Sequence, residues 1–423
     1  MTLPRVSWGR VEALLAVLFV LMVPLQTRLF LFGPTSPQQV AEGAVFYEWL
    51  SGFFYASDIA VLALLAVWGV RVARKEASVP LDKVTLLVAL GVISACATTF
   101  WALNTDVAVF RNIKLVEGFA LFLWARQASV STKLLAGAFV VAGLFQALVG
   151  SAQFLLQRSI GFVWLAESPL SALNPEVAKL VVSSGRFIRA YGTLPSPNVL
   201  AFFLVLALLF ATFLYLRKQF SAPWFALLSF PLLLALSFTF SRGLVAIGAL
   251  SVGALLVLSL REQRIRSAAA VLVLCTLGAF LPVAGEWYER SFVTVRTDFA
   301  VSERVELNET ALYGVAQTPW GVGTGNFTTI HHTLDQPIHN IFLLAAVESG
   351  PVFAFVLAAL LFYALWTQVK TKHPERALWT AILILIIGAG LIDHFLLTLQ
   401  QGMLVFWVVV GMGYRILIWT QGN

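Results

Sequence analysis

Runs of about 20 apolar residues recur along this chain from one end to the other, and short charged segments separate them. Hydrophobic residues make up 59% of the 423 residues and charged residues only 12%, against about 25% charged in a typical soluble domain. A backbone in lipid must satisfy its own hydrogen bonds, and an apolar run of this length does so as a helix. The sequence therefore predicts an all-α polytopic membrane protein, one integral membrane domain over residues 1–423.

About twelve runs qualify as transmembrane helices. The first run lacks a small-residue cleavage site and leads into further spans, so we expect a membrane helix there and no cleaved signal peptide. The predicted spans cover about 11–32, 54–70, 81–103, 112–125, 134–156, 199–216, 224–240, 244–260, 267–283, 339–366, 377–398 and 402–419.

The net charge of +7 reflects membrane topology. If the N-terminus is cytoplasmic, 17 of the 28 Lys and Arg residues fall in the cytoplasmic segments, although the loops on the other face are longer. Cytoplasmic loops of membrane proteins carry this excess of positive charge. We therefore expect both termini to be cytoplasmic and no nucleic-acid partner.

This topology gathers the polar segments on the outer face. They are the loop 157–196, the turn 241–243, the large loop 285–338 and the turn 393–401. In the first loop, the Asn174-Pro175-Glu176 pattern predicts the start of a surface helix with an apolar side.

The large loop 285–338 is expected to be partly helical. Ser302 is expected to cap a helix that contains Arg304 and ends before Pro319. We expect this loop to carry part of a site at the membrane surface.

Four arginines reach that outer face: Arg186, Arg189, Arg242 and Arg304. A guanidinium is a rigid fork that binds phosphate oxygens in pairs and keeps its charge. In a chain so poor in charge, the set suits a lipid diphosphate at the interface. Alternatively, each arginine extends to lipid headgroups or pairs with a local acid.

His339 opens the tenth predicted span and is a candidate general base, because an imidazole titrates near neutral pH. The start of a helix disfavours a protonated histidine, which favours that role. The alternative is a histidine that only caps the helix. Glu348, inside the same span, needs a partner, and Asp393 with His394 marks the outer end of the next one.

A metal site is not expected. His331, His332 and Asp335 lie near His339 in the sequence, but no pair has the i, i+4 spacing of zinc-binding helices. Whether His331 and His332 take part in the site stays open. The glycines of the segment GVGTGNF lack the GxGxxG spacing and predict a turn that folds the loop back.

Four motifs occur in order along the second half of the chain. They are RAYGTLPSPNVLAFFL, SFTFSRGLVAI, SERVELNETALYGVAQTPWGVGTGNF and IHNIFLLAAVESGPVFAFVL. Together they resemble the O-antigen ligase and polymerase superfamily over about 189–360. The resemblance implies a GT-C-type, metal-independent glycosyltransferase of the bacterial inner membrane, without a cofactor, whose site faces the periplasm.

By this resemblance, His339 is the base that activates an acceptor hydroxyl. Arg189 and Arg304 are expected to bind the diphosphate of an undecaprenyl-diphosphate-linked glycan donor, with Arg242 and Arg186 beside them. We expect supporting roles for Asn340, Glu348, Asn198 and His394.

The motifs are shared by ligases, which pass the glycan to lipid A–core or a similar glycolipid, and by repeat-unit polymerases. The acceptor is therefore not readable from the sequence. A transporter for the same lipid is disfavoured, because transporters place charges near the bilayer midplane and often in repeated halves.

Overall fold

The computed structural model describes residues 7–42, 46–174, 176–293, 299–330 and 336–421. It is mostly helical, with two small hairpins. The helices are α1 Trp8–Met22, α2 Pro37–Ala41, α3 Ala56–Ala73, α4 Lys83–Ala97, α5 Thr105–Gln127, α6 Thr132–Leu156, α7 Pro197–Leu216, α8 Ala222–Phe238, α9 Arg242–Leu258, α10 Ile265–Phe280, α11 Ala284–Tyr288, α12 Phe299–Gln317, α13 Phe327–Ile330, α14 Ile341–Lys370, α15 Arg376–Ile392, α16 Phe395–Thr398 and α17 Gln400–Gln421. The strands are β1 Arg28–Phe32, β2 Gly52–Tyr55, β3 Lys179–Val182 and β4 Gly185–Ile188.

A helix lies at each of the predicted spans. Within the described residues, six helical segments are long and apolar enough to cross a membrane by length and composition, and three shorter apolar helices accompany them. The chain is therefore a multi-pass, all-α membrane protein.

Helix α7 is the centre of the bundle. It packs against α6, α8, α9 and α15, and its apolar span is buried along its whole length. Ser196 caps it by accepting a hydrogen bond from the backbone N–H of Val199 at 3.3 Å, and Pro197 occupies the first turn, where no N–H is needed. Because no charged residue interrupts α7, every one of its faces can be covered by neighbouring helices.

The first helix is shorter than predicted. It ends at Met22, and the expected helical segment around Arg28 forms β1, which pairs antiparallel with β2. Pro24 has no backbone N–H with which to continue the helical hydrogen-bond pattern. Arg28 then pairs with Glu48 outside the helix, which avoids burying an unpaired charge in the bundle.

The surface helix predicted after Asn174 is wrong. The Asn174 side chain accepts from the backbone N–H of Glu176 at 3.0 Å, a turn that closes locally and starts no helix. The apolar residues that follow alternate, with Leu180 and Val182 buried and Val181 exposed. This period of two belongs to a strand, so β3 and β4 form an antiparallel hairpin.

The large loop is helical, as expected, but its helix begins earlier. Helix α12 already includes Phe299, so Ser302 lies inside it and is not its cap. No proline or glycine separates Phe299 from Ser302, and the helix therefore continues through the serine. It ends at Gln317, just before Pro319 as predicted. His331, His332 and Asp335 lie outside the described residues.

Helix α14 begins two residues later than predicted and is broken in the middle. Asn340 precedes its first residue, Ile341, and Gly350 has a φ of 79°. A Cβ on Gly350 would lie 2.8 Å from the carbonyl oxygen of Trp320, so only glycine fits there. The break lets the glycine-rich turn that follows Trp320 pack against the helix backbone.

Candidate functional site

The candidate site is a cleft of about 420 Å³ at the ends of several helices. Its volume falls within the range of about 300–1,000 Å³ that is usual for small-molecule sites. Its lining includes five polar or charged residues that contact or neighbour one another: Arg189, Asn198, His339, Asp393 and His394.

His339 and His394 face each other in the cleft. Their ring centroids are 5.0 Å apart with the planes at 72°. On another side, His394 meets the ring of Trp49 edge to face, also at 5.0 Å. His394 Nδ1 lies 2.6 Å from Thr398 Oγ1, a hydrogen bond that fixes the imidazole. The ring of His394 is therefore held between His339 and Trp49.

Asp393 completes this group. Its Oδ1 accepts from the backbone N–H of His394 and its Oδ2 from the amide of Asn198, both at 2.8 Å. Burial raises the pKa of the Asp393 carboxyl. The neighbouring His394 and His339 and the Asn198 hydrogen bond outweigh burial and bring that pKa below its usual value. The carboxyl group is thus ionised at neutral pH.

His394 is neutral at the same pH. Burial lowers the pKa of its imidazole to about 3, opposed by the Asp393 carboxylate and reinforced by His339 and the nearby arginines. An uncharged His394 beside His339 leaves Asp393 as the anion of the group.

Arg189 is linked to the Asp393 carboxylate through the side-chain amide of Asn198. Its Nε donates to the carbonyl oxygen of Thr239 at 2.6 Å, and Nη2 donates to Asn198 Oδ1 at 3.4 Å. Ser241 Oγ donates to the same Asn198 oxygen at 2.8 Å. Because the oxygen accepts and the nitrogen donates to Asp393, the amide orientation is fixed.

The other three predicted arginines occupy different surroundings. Arg304, on α12, is close enough to act electrostatically on Asp393 and His394. Arg242 begins α9 beside Ser241 and donates to the carbonyl oxygen of Arg290 at 2.8 Å. Arg186 is exposed on β4 opposite Val181 and does not line the cleft. The structure thus places Arg189 in the lining of the cleft with the two histidines. Arg304 and Arg242 do not line the cleft, and Arg304 acts on Asp393 and His394 through its charge.

Asn340 and Glu348 support the site through the backbone. Asn340 Oδ1 caps α14 by accepting from the N–H groups of Phe342 and Leu343 at 2.9 and 3.2 Å. The Glu348 carboxylate accepts from the N–H groups of Gly325 and Phe327 at 2.9 and 3.2 Å. Asn340 thereby fixes the residue after His339, and Glu348 fixes the glycine-rich turn.

That turn is built from glycines with positive φ. Gly321, Gly323 and Gly325 have φ values of 87°, 102° and 79°. The N–H of Gly323 donates to the carbonyl oxygen of Glu348 at 3.0 Å, so the turn folds back onto the broken helix. The expected turn is confirmed, and the Glu348 side chain supplies its internal hydrogen-bond acceptors.

Arg111 and Trp49 were not anticipated from the sequence. Arg111 is half-buried and donates to the carbonyl oxygens of Thr398 and Trp49 at 2.8 and 3.2 Å. It thereby joins the turn that holds His394 to the segment that holds Trp49. The sequence feature that could have indicated Arg111 is the concentration of polar residues at the start of the fourth predicted span, where Arg111 lies near Lys114.

The cleft also contains a group with the geometry of metal ligands. One ligand atom from each of His339, Asp393 and His394 lies within 4.8 Å of the other two. Both oxygens of Asp393 already accept hydrogen bonds, and Arg304 adds positive charge beside them. A divalent cation would have to compete with these interactions. Metal independence remains a prediction.

The function of this chain has to be argued from the site itself. No protein-family model matches the sequence, and no curated protein matches it.

Proposed function

We propose that the chain is a GT-C-type glycosyltransferase that moves a glycan from undecaprenyl diphosphate to an acceptor hydroxyl, as O-antigen ligases do. One observation carries the proposal: a single cleft brings His339 against the Asp393 carboxylate, and Asn198 joins that carboxylate to Arg189. A base with an anionic partner and a guanidinium for the leaving group are the parts that such a transfer requires.

The reaction has one balanced step. His339 takes the proton of the acceptor hydroxyl, and the oxygen attacks the anomeric carbon of the donor. The bond between that carbon and the diphosphate oxygen breaks, and the diphosphate leaves with the electron pair. Attack opposite the leaving group inverts the anomeric centre. Asp393 stabilises the imidazolium, and Arg189 with Arg304 stabilises the charge on the leaving diphosphate.

The proposal includes a membrane arrangement. Twelve spans with both termini in the cytoplasm place the cleft at the periplasmic face of the inner membrane. The excess of Lys and Arg in the opposite loops supports this orientation. The loops 157–196 and 285–338 then lie in the periplasm. A reporter fused near Thr310 tests the orientation, since a cytoplasmic signal from it would contradict this topology.

The decisive experiment is transfer in nanodiscs, with an undecaprenyl-diphosphate-linked glycan as donor and a lipid A–core glycolipid as acceptor. We expect transfer by the parent protein, its loss in His339→Ala, and full activity in Arg158→Ala, which removes an exposed arginine outside the cleft. EDTA should leave the rate unchanged. Full activity in His339→Ala would refute the catalytic assignment, and loss with EDTA would refute the metal-free step.

The same assay identifies the acceptor class. Transfer of one glycan to the glycolipid supports the ligase. A ladder of lengthening lipid-linked glycans from donor alone indicates a repeat-unit polymerase, which would use the same base and the same arginines.

A further inference from the structure

One side of helix α12 is packed against α14. Leu307 and Ala311 are buried there in one apolar cluster with Leu344 and Val347. A Cβ on Gly314 would lie 2.9 Å from Val347 Cγ2, so the two helices approach closely along this side. The contact fixes the rotation of α12 about its own axis, and with it the direction in which each of its other sides faces.

A second side of α12 is exposed and apolar. Val305, Leu312 and Ala316 are separated by seven and four residues, which are about two turns and one turn of an α-helix, so they lie in one row that we call the apolar flank. Val305 is 53% exposed and Leu312 is 58% exposed. Water would surround this apolar surface if the helix stood clear of the membrane, which is unfavourable.

A third side of α12 is polar. Glu306, Thr310 and Gln317 follow one another at four and seven residues and form a second row, the polar flank. The exposed residues Glu309 and Tyr313 lie between the two flanks. A helix with protein on one side, an apolar row on the next and a polar row on the third suits the boundary between lipid and water.

The end of α12 is tied to the end of a helix that is long and apolar enough to cross a membrane. That helical segment, Lys83–Trp101, stops at Trp101, whose indole N–H donates to the carbonyl oxygen of Gly321 at 2.8 Å. Gly321 comes four residues after Gln317, the last residue of α12. Tryptophan is enriched at the membrane–water boundary, where its ring lies in apolar surroundings and its N–H finds a polar partner. The end of α12 is therefore near the level of that boundary.

Exposed aromatic residues accompany this connection. Phe100, just before Trp101, is 90% exposed, and Trp320, just before Gly321, is 73% exposed. Large aromatic side chains with this exposure are typical of the interfacial belt of a membrane protein. Trp320 lies four residues after Ala316, so it connects the apolar flank of α12 with the lipid-facing end of α4.

We propose that α12 lies along the membrane interface, with its apolar flank against lipid acyl chains and its polar flank in water. The helix is then part of the membrane surface and does not project from it. Arg304, in the same helix, is thereby held at the level of the lipid headgroups. This inference goes beyond the proposed transfer function, and it holds on whichever side of the membrane the helix lies.

Site-directed spin labelling tests the proposal in a protein without native cysteines. Cys96→Ala and Cys275→Ala remove the two that the chain contains. Single cysteines are then introduced for a nitroxide label on the apolar flank, in Leu312→Cys and Ala316→Cys, and on the polar flank as matched controls, in Thr310→Cys and Gln317→Cys. All four positions are exposed or half-buried, so the label fits without repacking of the core.

The measurement is power saturation of the nitroxide signal in phosphatidylcholine liposomes with two relaxing agents. Oxygen concentrates in the lipid, whereas nickel ethylenediaminediacetate stays in the water. We expect oxygen accessibility to exceed nickel accessibility for both labels on the apolar flank and the reverse for both labels on the polar flank. Ala316 and Gln317 are neighbours in the chain, so a reversal between them reports the rotation of the helix and not its distance from the bundle.

Each other outcome overturns the proposal. Greater nickel accessibility at all four labels would place α12 in water. Greater oxygen accessibility at all four would place it inside the bilayer. Low accessibility to both agents on the apolar flank would mean that protein, such as a second copy of the chain, covers it. The expected pattern in a protein that transfers no glycan would refute the proposed function and leave this inference standing.

Discussion

The side-chain amide of Asn198 donates a 2.8 Å hydrogen bond to Asp393 and accepts one from Arg189 on its other atom. In the proposed reaction, this one residue in the first turn of α7 would connect the partner of the base with a ligand of the leaving diphosphate. This connection rests on a helix whose apolar span is buried along its whole length.

Replacement of Asn198 should therefore affect both halves of the reaction. In Asn198→Ala, Asp393 loses a hydrogen bond and Arg189 loses an acceptor, so we expect kcat to fall by about 10- to 100-fold and the donor KM to rise. Ser241→Ala removes only one hydrogen bond to the same amide and should have a smaller effect. The measurement is steady-state transfer with varied donor. Equal effects of the two variants would contradict the bridging role.

Arg189 should not tolerate lysine. Its Nε binds the Thr239 carbonyl oxygen while Nη2 binds Asn198, an arrangement that requires the planar fork of a guanidinium. We expect Arg189→Lys to lower kcat/KM for the donor by at least about tenfold, measured as initial transfer rate against donor concentration. Arg158→Lys is the control. A parental rate in Arg189→Lys would mean that charge alone is sufficient at this position.

Acid should destabilise the protein through His394. Its pKa of about 3 in the folded protein lies below the value of about 6.5 in an unfolded chain. Between these values the unfolded state binds the additional proton, so the stabilising contribution is complete above about pH 6.5 and declines as the pH falls towards 3. The melting temperature should therefore decrease over this range, and less steeply in His394→Gln. Identical pH profiles of parent and variant would contradict this explanation.

Glu348 should matter for stability through its two hydrogen bonds. Glu348→Ala leaves the N–H groups of Gly325 and Phe327 without their acceptor, at a cost of about 1–3 kcal/mol for each buried group. Glu348→Gln retains one carbonyl oxygen and should be less damaging. Thermal unfolding in detergent measures both. Equal stability of the alanine variant and the parent would show that the turn does not depend on this carboxylate.

The helices can be predicted from the sequence because the length of each apolar run is enough to indicate a helix, as α7 and α14 show. It also predicts that His339, Asp393 and His394 lie at the same face of the membrane, because successive membrane helices cross the bilayer in opposite directions. The hairpin β3–β4 was missed because a run of four residues carries little periodicity. Trp49 and Arg28 were missed because their partners lie in other segments, and only the folded chain brings these together.

The Glu348 carboxylate also determines what the glycine-rich turn is free to do. The N–H groups of Gly325 and Phe327 in this turn already donate to a carboxyl group that belongs to the same chain and cannot diffuse away. The turn is therefore assembled before any donor arrives and offers these two groups to no external phosphate. We expect an anionic substrate to be bound by side-chain guanidinium groups instead, with a strength that falls as the ionic strength rises.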